Sequence, residues 1–176
     1  MPFSRREALG LGTLGLGCGD PWRVRRQPLR RDRTGAAAAL QAADFADLTG
    51  KTIKLSEWKG KILVCNFWAT WCPPCRREIP MLMTLHKELA PSGVEVVGIA
   101  VDSAAKVVEF SRVVQISYPV LIAPEDGFAL MRELGNTEGG LPYTVALRRD
   151  GSIGYRKLGE LSEAVLRMKL TALLGA

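Results

Sequence analysis

Residues 61 to 68 read KILVCNFW and residues 94 to 101 read VEVVGIAV, apolar at nearly every position. A strand covered on one face alternates apolar with polar, so near-continuous runs of this kind predict strands buried on both faces. Between them, Ile79, Leu82, Met83, Leu85 and Leu89 recur at spacings of three and four, which predicts a helix over 73–89. Upstream, Asp47-Leu48-Thr49-Gly50 is a turn signal, and the alternation at 52–55 predicts a short strand that completes a small hairpin. Downstream, Asp102-Ser103 is expected to cap a helix through Gln115 that carries Val107, Val108 and Phe110. A short third strand over 119–123 precedes a short helix ending at Gly135. Segments 141–148 and 153–158 flank Asp150-Gly151, a hairpin signal. Ser162 is placed to cap a last helix to about residue 174. Strand–helix alternation followed by a hairpin and a helix predicts an α/β layered fold whose sheet is parallel in its first half.

The first 43 residues lack this patterning. Residues 1–20 open with charge, then run through about a dozen apolar or glycine residues, too few for the roughly 20 that span a bilayer. That layout is the outline of an export signal or N-terminal anchor. Ser4-Arg5-Arg6-Glu7-Ala8-Leu9 resembles a twin-arginine export signal, with Ala8 where an aromatic residue is usual and Gly10 where lysine is common. Leu16-Gly17-Cys18 has the outline of a lipoprotein site, but Gly15 stands where leucine is expected. Residues 21–43, rich in arginine and alanine, read as a linker with a weak helix near the alanines, which leaves 44–176 as the folded domain.

Charge then changes the picture in one respect. The chain carries a formal net charge of +6, yet eight arginines against three acids sit within residues 1–35. The remainder is close to neutral and shows no basic surface that argues for a nucleic-acid partner. The arginine-rich stretch leaves a membrane tether through the N-terminus open.

Candidate chemistry rests on sulfur. Of four cysteines, Cys72 and Cys75 are two residues apart in WCPPC, where the first long strand ends and the helix begins. They could hold a metal, cross-link a framework or carry electrons. There is no second CxxC or CxxH, and His86 is the sole histidine, so a four-ligand zinc site lacks its donors. At the helix start, unpaired N–H groups and the macrodipole favour a thiolate at Cys72. Pro73 and Pro74 suit the first turn, where their missing N–H groups cost nothing. Cys75, one turn deeper on the same face, is expected to be shielded while Cys72 is exposed, an arrangement suited to thiol–disulfide exchange.

Trp71-Cys72-Pro73-Pro74-Cys75 resembles a thioredoxin-fold active site. With Val64 to Thr70 before it, Arg76-Arg77-Glu78-Ile79-Pro80 after it and Gly139 to Thr144 downstream, the chain is similar to the TlpA/ResA-like branch over residues 44 to 174. The resemblance implies a thioredoxin-like fold: a mixed central sheet flanked by helices, here with a short N-terminal hairpin extension. It implies an exported thiol–disulfide oxidoreductase that reduces disulfides of extracytoplasmic proteins, in cytochrome c maturation or thiol rescue, in the periplasm or tethered to the membrane. Cys72 matches the attacking cysteine and Cys75 the resolving one. Their disulfide is the redox group, with no other cofactor and no metal. Glu78 occupies the place of a glutamate that assists proton transfer. Trp71, Pro73, Pro74, Leu141 and Pro142 match client-binding positions, Pro142 being the proline held cis. Asn66 stands where thioredoxin has a buried acid, and Pro80 matches the proline that bends the helix. The implied partners are proteins bearing disulfides or thiols and an upstream membrane thiol electron donor.

Plainer readings stand beside these. Glu78 reads equally as a solvated carboxylate near Arg76 and Arg77, and Asn66 as a core amide bonded to its neighbours. Cys65 reads as a small buried hydrophobe, His86 as a surface or part-buried side chain, Trp68 as core. Among rival functions, a thiol peroxidase needs a Pro-x-x-x-Thr-x-x-Cys setting that residues 66–75 lack. A copper-binding module of the same fold would want CxxxC and a distal histidine. A redox-dead binding domain has no use for the intact cysteine pair.

Overall fold

In a computed structural model that describes residues 35–175, the strand expected over 61–68 runs Ile62–Trp68 (β3), with all seven residues buried. It lies between Val94–Ala100 (β4), parallel to it, and Tyr143–Leu147 (β6), antiparallel. The sheet continues from β4 to Val120–Ile122 (β5), and on to Phe45–Asp47 (β1) and Thr52–Ile53 (β2). At its other edge Ile153–Leu158 (β7) pairs with β6, giving the order β2-β1-β5-β4-β3-β6-β7. The long runs are buried because helices cover both faces of these strands.

Successive strand residues point to opposite faces, so β3 divides the core in two. Ile62, Val64 and Trp68 face one cluster. Pro73–Leu89 (α2), Ala104–Val114 (α3) and Glu163–Leu174 (α5) close it through Ile79, Leu82, Leu85, Val107, Leu166 and Leu170. Leu63, Cys65 and Phe67 face a second cluster beneath Ala36–Ala42 (α1) and Gly127–Glu133 (α4). Asn66 falls on the α2 side, a polar group in the middle of an apolar face.

Three expectations differ from the structure. The end of the expected linker is α1, whose Ala36, Ala37 and Leu40 are buried in the second core, so the folded unit begins before residue 44. A helix of small alanines lies close to its partner surface through few side chains, which leaves almost no periodic signal. The strand over 52–55 stops at Ile53, and the buried Leu55 instead opens a short 3-10 turn, Leu55–Trp58. Ser103 and Ser162 stand at their helix starts without a side-chain capping bond. Asp102 works across the fold instead. One of its oxygens accepts the Ser103 N–H at 2.7 Å, and the other accepts the N–H and hydroxyl of Thr70, pinning the loop after β3 to the end of β4. The export-signal and lipidation readings of residues 1–20 lie outside the described residues. Among residues 35–175 no helix is long and apolar enough to cross a membrane.

Candidate active site

The site forms where β3 runs out. After Trp68 a short loop delivers Cys72 to the N-cap of α2, in extended conformation, with Pro73 and Pro74 in the first helical positions. The Cys72 sulfur accepts the N–H of Cys75 at 3.4 Å and is bonded to the Cys75 sulfur, with the two Cα atoms 5.3 Å apart. Cys75 is fully buried. Cys72 is only 3 % exposed, which corrects the expectation of an open attacking sulfur. Trp71, 61 % exposed, forms the rim beside it. Trp68 is fully buried, its ring 5.5 Å from that of Phe110 on α3.

The distal proline is brought to this end of the sheet by register. Tyr143 pairs with Phe67 in antiparallel β6, so Pro142, just before it, lies beside the end of β3 from which the cysteine loop springs. The Leu141–Pro142 peptide is cis. Pro142 accepts the Gly159 N–H at 2.8 Å, and Leu141 makes no backbone hydrogen bond among the described residues. Pro80 lies inside α2, which runs through it. It has no N–H to give to the preceding turn, and its own carbonyl accepts the Thr84 hydroxyl at 3.1 Å.

Glu78 is not a solvated carboxylate. It is 2 % exposed, one turn beyond Cys75 on the buried side of α2. One oxygen accepts the Asn66 amide at 2.6 Å and the other the Leu161 N–H at 3.0 Å. The same Asn66 amide nitrogen donates to Thr144 at 3.0 Å. Burial raises the Glu78 carboxyl above the ordinary carboxylate range, the bonds from Leu161 and Asn66 oppose that rise without cancelling it, and the nearby Glu160 charge adds slightly to it. A carboxyl held in this way takes and returns a proton closer to neutrality than a surface glutamate does.

The remaining sequence candidates separate cleanly. Cys65 is buried on the opposite face of β3, and burial alone drives its thiol far above the ordinary range, so it stands apart from the redox pair. His86 bonds to Glu95 at 2.8 Å, and Glu95 also pairs with Lys61 at 2.7 Å. Among the described residues no group of three or more His, Cys, Asp or Glu side chains is placed to hold a metal. Beside the cysteines, between α2 and α3, lies a groove of about 380 Å³ lined by Pro73, Arg76, Arg77, Phe110 and Val114, with the Arg76 guanidinium 5.5 Å over the Phe110 ring.

Sequence reasoning did not single out Thr144, Asp102 or the segment 159–161 as parts of the site. Leu161 and Glu78 are 83 positions apart, and a backbone N–H leaves no mark in composition or periodicity.

Comparison with known proteins agrees with this geometry. The AhpC/TSA family model matches residues 35–156. The thiol-disulfide oxidoreductase ResA of Halalkalibacterium halodurans is 33% identical over 138 residues, covering 77% of this chain and 76% of its own. A crystal structure of a thiol:disulfide interchange protein of the thioredoxin family from Chlorobium tepidum TLS is similar at 30% identity and a TM-score of 0.67. It covers 76% of this chain and 93% of that one. The crystal structure of a secreted thiol-disulfide isomerase from Corynebacterium glutamicum is similar at 26% identity and a TM-score of 0.67, covering 76% and 84%.

Proposed function

From the premise that this chain belongs to the AhpC/TSA family and is a thiol–disulfide oxidoreductase of thioredoxin-like fold, we propose that it reduces disulfides of proteins outside the cytoplasm through Cys72 and Cys75. The observation that carries the reading is the bonded sulfur pair at the start of α2, backed one turn deeper by a buried carboxyl. In the reduced protein the Cys72 thiolate, favoured by the α2 N-terminus, attacks a client disulfide and releases one client thiolate. Cys75 gives its proton to Glu78 and attacks Cys72, forming the Cys72–Cys75 disulfide and releasing the second client thiolate. Trp71, Pro73, Pro74 and the free backbone groups of Leu141 beside Pro142 supply the surface on which an extended client segment rests. An upstream membrane thiol donor then reduces the pair.

Export and a membrane tether through the N-terminus rest on residues 1–20 and on the word "secreted" in the name of one similar structure. Cytochrome c maturation, the target class of the family resembled, is proposed on that resemblance alone. Two measurements test the core of this reading. Cys72→Ser abolishes insulin reduction; retained activity would remove Cys72 from the mechanism. A reduction potential of about −270 mV supports reduction as the direction, whereas one of about −120 mV would reverse it.

A further inference from the structure

Four residues link β7 to α5, and the first three of them each hold a different part of the site. The Gly159 N–H donates to the carbonyl of Pro142 at 2.8 Å. The Glu160 carboxylate receives two N–H groups of Arg77, at 3.1 and 2.7 Å. The Leu161 N–H donates to Glu78 at 3.0 Å. Both ends are fixed: β7 is paired into the sheet, and Leu161 and the α5 residues Leu166 and Leu170 are buried in the cluster that contains Cys72 and Cys75.

The Arg77–Glu160 pair is two-pronged but exposed, its side chains 60 % and 43 % accessible. In that setting it adds little to stability, yet two parallel bonds fix direction well. It ties the residue next to Leu161 to the residue next to Glu78, which keeps the Leu161 N–H aimed at the carboxyl.

We propose that Gly159-Glu160-Leu161 is a positioning strap for the resolving half of the exchange, with Glu160 and Arg77 as its clasp. It holds the Glu78 carboxyl under Cys75 in fixed relation to the Pro142 edge where a client lies. This rests on the role assigned to Glu78 above. In the step it serves, a mixed disulfide links Cys72 to the client. The Cys75 thiol passes its proton to the Glu78 carboxylate, and the Cys75 sulfur bonds to the Cys72 sulfur. The Cys72–client bond breaks with its electron pair on the client sulfur. Atoms and charge balance, with Glu78 left protonated and the client as thiolate.

The pH dependence of that step follows from the groups around Glu78: the Leu161 N–H and the Glu160 charge on the strap, the latter paired with Arg77 on α2, Tyr118 before β5, and the uncharged Asn66 on β3, itself bonded to Thr144 on β6. Loosening the clasp at Arg77 weakens the Leu161 bond and leaves Glu160 unneutralised. Both changes push the Glu78 carboxyl further up, so the carboxylate form appears at higher pH. Loosening it at Glu160 weakens the same bond but removes the repelling charge, and the two effects oppose.

The test uses the reduced full-length protein carrying Cys18→Ser, which leaves the buried Cys65 as the one thiol besides the pair. It is mixed with dithionitrobenzoate, where attack by Cys72 releases the first coloured thiolate and resolution by Cys75 the second. Arg77→Ala and Glu160→Ala each slow the second phase relative to the first by about two- to fivefold, the range of one exposed ion pair. Arg77→Ala also moves the pH midpoint of the second phase upward, and Glu160→Ala moves it less. The charge-reversed double variant Arg77→Glu/Glu160→Arg recovers the rate, and Arg77→Ala adds no slowing once Glu78→Gln is present. An unchanged second phase in both single variants, no recovery in the reversed pair, or equal slowing without Glu78 would each overturn the strap. Absence of both phases in the protein carrying Cys18→Ser alone would instead overturn the exchange reading beneath it.

Discussion

Replacing Asn66 with leucine, of nearly the same shape, tests whether the buried carboxyl is held as described. The substitution removes the 2.6 Å bond to Glu78 and the 3.0 Å bond to Thr144. A hydrogen bond to a charged group contributes about 1.5–3 kcal/mol and a neutral one about 0.5–1.5 kcal/mol. With Glu78 ionised, the loss is therefore about 2–4 kcal/mol; with Glu78 protonated, both lost bonds are neutral and the loss is roughly half that. The pH dependence has a definite sign. In the native protein Glu78 already sits above its ordinary value, so its contribution is full below that ordinary value and declines as pH rises through the folded one. Losing a bond that opposes the rise lifts the carboxyl further in the variant. Over the interval between the two folded values the variant holds a proton that the native protein does not. The stability gap accordingly widens as pH rises across that interval and is flat on either side. Urea unfolding of the oxidised protein, followed by tryptophan fluorescence from about pH 4 to about pH 8, measures the gap directly. A gap that stays constant with pH, or stays below about 1 kcal/mol throughout, would refute the picture of a hydrogen-bonded buried carboxylate.

Leu40→Ala costs about 2–5 kcal/mol in a chemical melt if α1 belongs to the fold, because Leu40 is fully buried in the second core; a neutral result would return residues 36–42 to the linker. Gly98→Ala brings a Cβ to 3.0 Å from both Trp68 Nε1 and Tyr118 Cε2, and the crowding lowers stability by about 1–3 kcal/mol. In the reduced native protein iodoacetamide labels Cys72 and leaves Cys65 unmodified until denaturant is added, since burial holds Cys65 as an inert thiol; native-state labelling of Cys65 would contradict its placement. Cys75→Ser leaves the mixed disulfide between Cys72 and a client unresolved, visible as a covalent adduct on non-reducing gels.

Much of the architecture was local enough to read along the chain. The runs at 62–68 and 94–100 announced the two central strands, because a strand covered on both faces must be apolar on both. The three-and-four spacing from Ile79 to Leu89 announced α2, and the Cys72–Cys75 spacing at its start announced the sulfur chemistry. Helix α1 escaped because alanines packed closely against a surface leave no period to detect. The same limit made Asp102 look like a helix cap when its second oxygen reaches back to Thr70, 32 positions earlier.

The amino-acid order by itself settled the long central strands β3 and β4 and helix α2, and that two sulfurs stand at a helix start. These are consequences of neighbours within one turn or one pleat. Whether Glu78 faces water or the core, whether Cys72 is open or covered, and which backbone N–H meets a carboxyl were settled only by packing. The surroundings of Glu78 depend on groups from β3, β6 and the strap converging on α2 from up to 83 positions away. Desolvation acts on that converged volume and not on the chain, so the proton affinity at the centre of the site is a property of the tertiary structure alone.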